Sequence, residues 1–101
     1  MATFLTFIEI QPEHRAEVTR NFDERFEEAV ELVESNGGEV KDVYFGNIAG
    51  YDAMTVTEFP DRESIERADI LYNMDPAIDA DVTRVHPSEE YAQLIGEAVG
   101  E

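Results

Sequence analysis

Residues 3–10 read TFLTFIEI, and both alternating sets are mostly apolar: Phe4, Thr6, Ile8 and Ile10 on one side, Leu5 and Phe7 with Glu9 on the other. Alternation with period two gives a strand, and apolar residues on both sides require cover on both faces. A long helix is expected from Pro12 to about Asn36. Phe22, Phe26, Ala29, Val30 and Val33 recur at helical spacing, and Glu24, Glu27, Glu28, Glu31 and Glu34 fill the solvated remainder. The early part, residues 13–21, is less periodic and reads as a loop or a separate turn. Asn36-Gly37-Gly38 can adopt the left-handed conformations that end a helix.

A second strand is expected over residues 40–47 (VKDVYFGN), returning through residues 46–50 into a third over 51–59 (YDAMTVTEF). These should form an antiparallel hairpin with a loop of about four residues. Pro60 has no amide hydrogen for a ladder, so the third strand ends there, and Asp61 can cap the helix that follows. That helix, residues 62–74, turns Ile65, Ala68 and Leu71, with Tyr72 beside them, to the core. Asp75-Pro76 breaks it, because the residue before proline is pushed out of helical geometry. A fourth strand is expected over residues 80–86, and Pro87-Ser88 opens a last helix with Tyr91, Leu94, Ile95, Ala98 and Val99 on one face. The order is β-α-β-β-α-β plus a terminal helix, a split βαβ pattern with the first and third strands central. The whole chain is expected to be one α+β domain.

Charge changes this picture more than any other property. Twenty-four Asp and Glu face six Arg and Lys41, a net charge of −17. Such a surface repels phosphates and anionic lipid, which weighs against nucleic-acid and membrane partners. A disordered acidic chain would not carry 43% hydrophobic residues in periodic patterns. The expected setting is a salt-rich cytoplasm of the halophile type, where repulsion is screened over roughly 3 Å at 1 M salt. The absence of cysteine removes disulfides and thiolate metal sites. No apolar run approaches the ~20 residues that span a bilayer, and residues 1–10 read as a strand rather than a signal peptide, so a cytoplasmic protein is expected.

The stretch 46–61, GNIAGYDAMTVTEFPD, resembles the GYD-domain family. The family's triplet stands here as Gly50, Tyr51 and Asp52, followed by an apolar strand, an acidic residue (Glu58), and Pro60-Asp61 opening a helix. The flanking elements are similar in order and length. The resemblance implies a ferredoxin-like fold whose subunits pair into a dimeric α/β barrel, and it implies no reaction. Barrels of that kind include cofactor-free monooxygenases and isomerases that place a His, Tyr, Asp or Asn inside. The positions that could serve are Tyr51, Asp52 and His86.

Each candidate has a plainer reading. Asp52 can bond amides of the Gly50 turn, and Tyr51 can shield a sheet edge while its hydroxyl stays wet. Asp52 and Glu58 are roughly 20 Å apart along one strand at ~3.3 Å per residue, too far for an acid/base pair. Glu58 is expected to pair with Arg84 or Arg62. His14 and His86, the two histidines, could meet at one end of the sheet, yet neither has metal-ligand spacing. Asp75, Asp79 and Asp81 could hold a hard cation, although a solvated loop explains them as well. Thr6, Tyr51, Thr55 and Thr57 are the candidate ligand-binding residues. In that assignment the threonine side of the third strand lines a cavity between subunits, and Met54 and Val56 face the helices.

Two functional readings follow. The first is a small ligand-binding or oligomer-forming module that pairs with itself, needing neither metal nor cofactor. The second is a cofactor-free enzyme of the monooxygenase or isomerase kind acting on a small organic substrate.

Overall fold

The computed structural model describes residues 1–100. Its strands are β1 (Ala2–Ile10), β2 (Glu39–Ile48), β3 (Tyr51–Phe59) and β4 (Ile78–Val85); its helices are α1 (Arg15–Arg20), α2 (Phe22–Ser35), α3 (Arg62–Asn73) and α4 (Ser88–Val99). The four strands form one sheet in the order β2-β3-β1-β4, antiparallel throughout. The first and third strands are central, as the split βαβ pattern requires. The architecture is α+β, with the sheet order of a ferredoxin-like fold.

The long first helix is interrupted. Pro12–His14 forms a single 3-10 turn, α1 follows, and Asn21 separates it from α2. Only the second part carries a sustained apolar stripe, so only it packs along the sheet. At its end, the Gly38 amide donates to the Val33 carbonyl and the Gly37 amide to the Glu34 carbonyl. Gly37 has φ 83°, the left-handed geometry of this stop.

The hairpin between β2 and β3 is tighter than the spacing suggested. β2 runs on to Ile48, leaving Ala49 and Gly50 as a two-residue turn with φ 53° and 90°. Both angles are positive, which is the geometry matched to strand twist. The register slips between Phe45 and Ile48, an irregularity centred on Gly46 at φ 147°. As expected, Pro60 follows the end of β3 and Asp61 caps α3, accepting the Ser64 amide at 2.8 Å. β4 begins two residues earlier than the sequence suggests and stops before His86.

α2 and α3 lie on the same side of the sheet. Phe4, Val33, Phe59, Ile65, Ala68, Tyr72 and Ala80 form the buried core there. Phe4 and Phe59 meet edge to face with ring centroids 6.2 Å apart, and the Arg84 guanidinium lies 5.6 Å from the Phe4 ring. The other sheet face carries Leu5, Phe7, Met54 and Val56, and no helix covers it. α4 leaves the sheet after Pro87, held to β4 by Glu90 on Arg84, and Tyr91, Leu94, Ile95 and Val99 remain exposed. None of the helices is long and apolar enough to cross a membrane among the described residues.

The backbone at Gly38 passes against the Phe59 ring. A Cβ there would stand 2.5 Å from Phe59 Cε1, and Phe59 is fully buried. Gly38→Ala should therefore destabilise the fold by about 1–3 kcal/mol through overpacking. Urea unfolding checks this; an unchanged midpoint would show that α2 and β3 are not held this closely.

Candidate functional site

Phe59 enters the core, so period two sends Thr57, Thr55 and Ala53 to the helix side as well. Their β1 partners Phe4, Thr6 and Ile8 share that side. This reverses the sequence assignment: the threonine side faces α2, and Met54 and Val56 face the open side. The error came from giving the bulkier residues to the helices, whereas one fully buried phenylalanine fixes the direction of the whole strand.

Between α2 and the sheet lies a cavity of about 210 Å³. Ile8, Ala53, Thr55 and Thr57 form its sheet wall, with Ala29 and Val33 opposite. Phe22, Phe26 and Phe45 frame its outer end, with ring centroids 5.1 to 6.3 Å apart. Phe22 and Phe45 are partly exposed, which marks that end as the opening. Thr57 is 2% exposed, and its hydroxyl has no hydrogen-bond partner. An unpaired hydroxyl in an apolar wall costs stability, so it calls for an explanation. Thr6 lies on the same sheet side but is packed away from the cavity.

Arg25 is the cation of this lining, and it is already engaged. It bonds Asp75 at 2.6 Å and pairs with Glu17 through a second guanidinium nitrogen. Glu17 and Asp75 push its pKa further above the ordinary arginine value. The sequence reading missed Arg25, although an arginine one turn from Phe22 on an apolar stripe was a visible signal. Tyr72 also lines the cavity and donates to the Ala29 carbonyl at 3.4 Å. Burial pushes its phenol up to about 12.

The namesake residues lie elsewhere. Asp52 does not cap the Gly50 turn: Gly50 donates instead to Asn47 Oδ1 at 3.2 Å. Asp52 Oδ2 accepts the Ile10 amide at 2.8 Å, and Arg15 reaches both carboxylate oxygens at 3.2 and 3.3 Å. One carboxylate thus ties together the start of β3, the end of β1 and α1. Tyr51 breaks the alternation set by Phe59. Its ring lies 5.2 Å from Phe7 and its hydroxyl donates to Asp81 at 2.9 Å, which puts it on the open face. That bond favours the neutral phenol and raises the Tyr51 pKa.

His86 is far from both. β4 runs antiparallel to β1, so His86 follows the strand end paired with Thr3, whereas His14 follows Ile10 at the opposite end. The two histidines cannot meet. His86 Nδ1 lies 2.6 Å from Glu90 Oε1, and Arg84 reaches the same oxygen at 2.7 Å. His86 first, then Arg84, lowers the Glu90 pKa. Arg84 is thereby taken from Glu58, Arg62 pairs with Glu66, and Glu58 has Lys41 at 3.9 Å instead. Asp75, Asp79 and Asp81 each take a different partner: Arg25, Gln11 and Tyr51. Among the described residues, no three acidic or histidine side chains converge as a metal site. Tyr51, Asp52 and His86 do not assemble around a common point.

Two outcomes test this site. Thr57→Val keeps the shape and deletes the orphan hydroxyl, so it should stabilise the ligand-free protein by about 1 kcal/mol, read from thermal or urea unfolding. Destabilisation would mean that the hydroxyl has a partner. Alkaline titration followed by tyrosine absorbance should show one phenol ionising near pH 12, lost in Tyr72→Phe. The folded state holds that proton more tightly, so the associated stability is complete below pH 10 and is lost as pH rises towards 12.

No curated protein matches the chain. A model of the GYD domain family matches residues 4–95, which include β1 except Ala2 and Thr3, the whole of β2, β3 and β4, α1 to α3 and most of α4. With more than nine-tenths of its length matched, the chain belongs to the GYD domain family.

Proposed function

We propose that this protein is a small-molecule-binding and assembly module of a salt-rich cytoplasm, working as a face-to-face homodimer that closes an α/β barrel. The observation that carries the reading is the placement of α2 and α3 on one side of the sheet. Leu5, Phe7, Met54 and Val56 stay half-buried on the other side, a run of apolar side chains across the two central strands with no helix packed over them. α4 supports the same reading. A 12-residue helix is marginal in water by itself, and its exposed stripe of Tyr91, Leu94, Ile95 and Val99 needs a surface to pack on.

Acidity and assembly are linked in this reading. Glu9, Asp79 and Asp81 border the open face at one end, and Glu39, Asp42 and Glu58 at the other. Two such faces bring carboxylates towards carboxylates, so pairing needs screening. The Debye length falls from about 10 Å at 0.1 M salt to about 3 Å at 1 M. The enzyme reading has less support, because its three candidate residues have separate partners and no shared cavity.

Sedimentation in 2 M potassium chloride should give at least twice the 11.4 kDa chain mass, falling towards the monomer at ~0.1 M. Met54→Glu should give monomer even in high salt while keeping the wild-type circular dichroism spectrum. A wild-type monomer at micromolar concentration in molar salt would refute the pairing. Thermal melts in the same two salts check the habitat: the melting temperature should rise with salt, and equal values would remove the halophile argument.

A further inference from the structure

We infer that the cavity between α2 and the sheet is a binding site for a neutral, mostly apolar ring compound carrying one hydroxyl or carbonyl, which hydrogen-bonds to Thr57. The inference rests on the binding half of the reading above and not on pairing, because every lining residue comes from one chain. It also moves the ligand from the space between subunits to the interior of each.

Three observations narrow the chemistry. The first is the hydroxyl itself. Thr57 is buried, unpartnered and set in the cavity wall. A resident water would need two to four polar partners, and beside Thr57 the sheet wall offers its β2 partner Val40 and, two residues along, the single further hydroxyl of Thr55. A ligand group brings its own partner: a carbonyl accepts from the threonine, and a hydroxyl donates to it. The second is size. About 210 Å³ is more than the ~150 Å³ of an apolar cavity that takes benzene, and less than the ~300 Å³ at which drug-sized pockets begin. One or two fused rings fit that interval.

The third observation is charge. Arg25 is the lining's cation, and Glu17 and Asp75 have already neutralised it. Glu28 and Asp75 add negative charge to the lining, and the chain carries −17 overall. A carboxylate or phosphate would enter against this field and find no free partner. The aromatic frame of Phe22, Phe26 and Phe45 at the opening offers edge-to-face contacts to an entering ring instead.

Isothermal titration calorimetry with 2-naphthol and 2-naphthoate tests this, with the full chain in 2 M potassium chloride. 2-Naphthol should bind once per chain, and 2-naphthoate at least tenfold more weakly. Thr57→Ser, which keeps the hydroxyl, should bind 2-naphthol as the wild type does. Thr57→Val should bind it about threefold to tenfold more weakly, the worth of one hydrogen bond. Ala53→Leu fills the cavity and should abolish binding while keeping the wild-type circular dichroism spectrum. If that variant does not fold, the valine and serine variants still decide the matter. The inference is overturned by no binding of 2-naphthol to the wild type, by equal binding to Thr57→Val, or by 2-naphthoate binding as tightly. Sedimentation of the same samples separates the two proposals: a monomer that binds 2-naphthol sinks only the pairing, and a dimer that binds none sinks only the ligand.

Discussion

A side chain that enters the core commits every second residue of its strand to the same side, and in β3 the committing residue is Phe59. It is fully buried, meets Phe4 edge to face, and lies so close to Gly38 that no Cβ fits between them. Period two then carries Thr57, Thr55 and Ala53 beneath α2 and turns Met54 and Val56 outwards. Both the cavity and the uncovered face follow from that one placement. Small side chains beneath α2 leave space in the core, and the larger ones are left on a surface that no helix reaches.

The parity holds until Asp52 and fails there. The family's triplet sits at the irregular start of β3, next to the register slip opposite Phe45 and Ile48. There Asp52 takes the Ile10 amide, and Tyr51 crosses to Phe7 and Asp81 on the open face. This arrangement gives Asp52 a structural role: its carboxylate closes the end of the central strand pair and holds Arg15 at the start of α1. The acid that names the family is, in this chain, a tie between elements.

Electrostatics divides the molecule in the same way. The seven cations are few, and most are used within the chain: Arg15 on Asp52, Arg25 on Glu17 and Asp75, Lys41 near Glu39 and Glu58, Arg62 on Glu66, Arg84 on Glu90. Exposed pairs of this kind contribute little each, and their larger effect is to leave the remaining carboxylates uncompensated. That excess borders both ends of the open face.

Much of the fold was legible in the residues. Alternation gave the four strands, the Phe22 to Val33 stripe gave α2, and Pro60-Asp61 gave the start of α3 with its cap, because each of these signals is local and set by backbone geometry. Strand order followed from element order. The two-residue turn and the break at Asn21 were less visible, since positive φ at Ala49 and a one-residue helix interruption leave weak traces in composition. The direction of each strand face was not decided locally: both sides of β1 and β3 carry apolar residues, and only packing of Phe59 against Phe4 and Gly38 chose between them. Charge partners were likewise tertiary. Arg84 could have served Glu58 by sequence alone, but the antiparallel pairing of β4 with β1 put it beside Glu90 and sent His86 to the opposite end from His14. The sequence by itself determined which elements form and where they stop; which side each strand shows to the helices depended on contacts between residues far apart in the chain, which no local periodicity encodes.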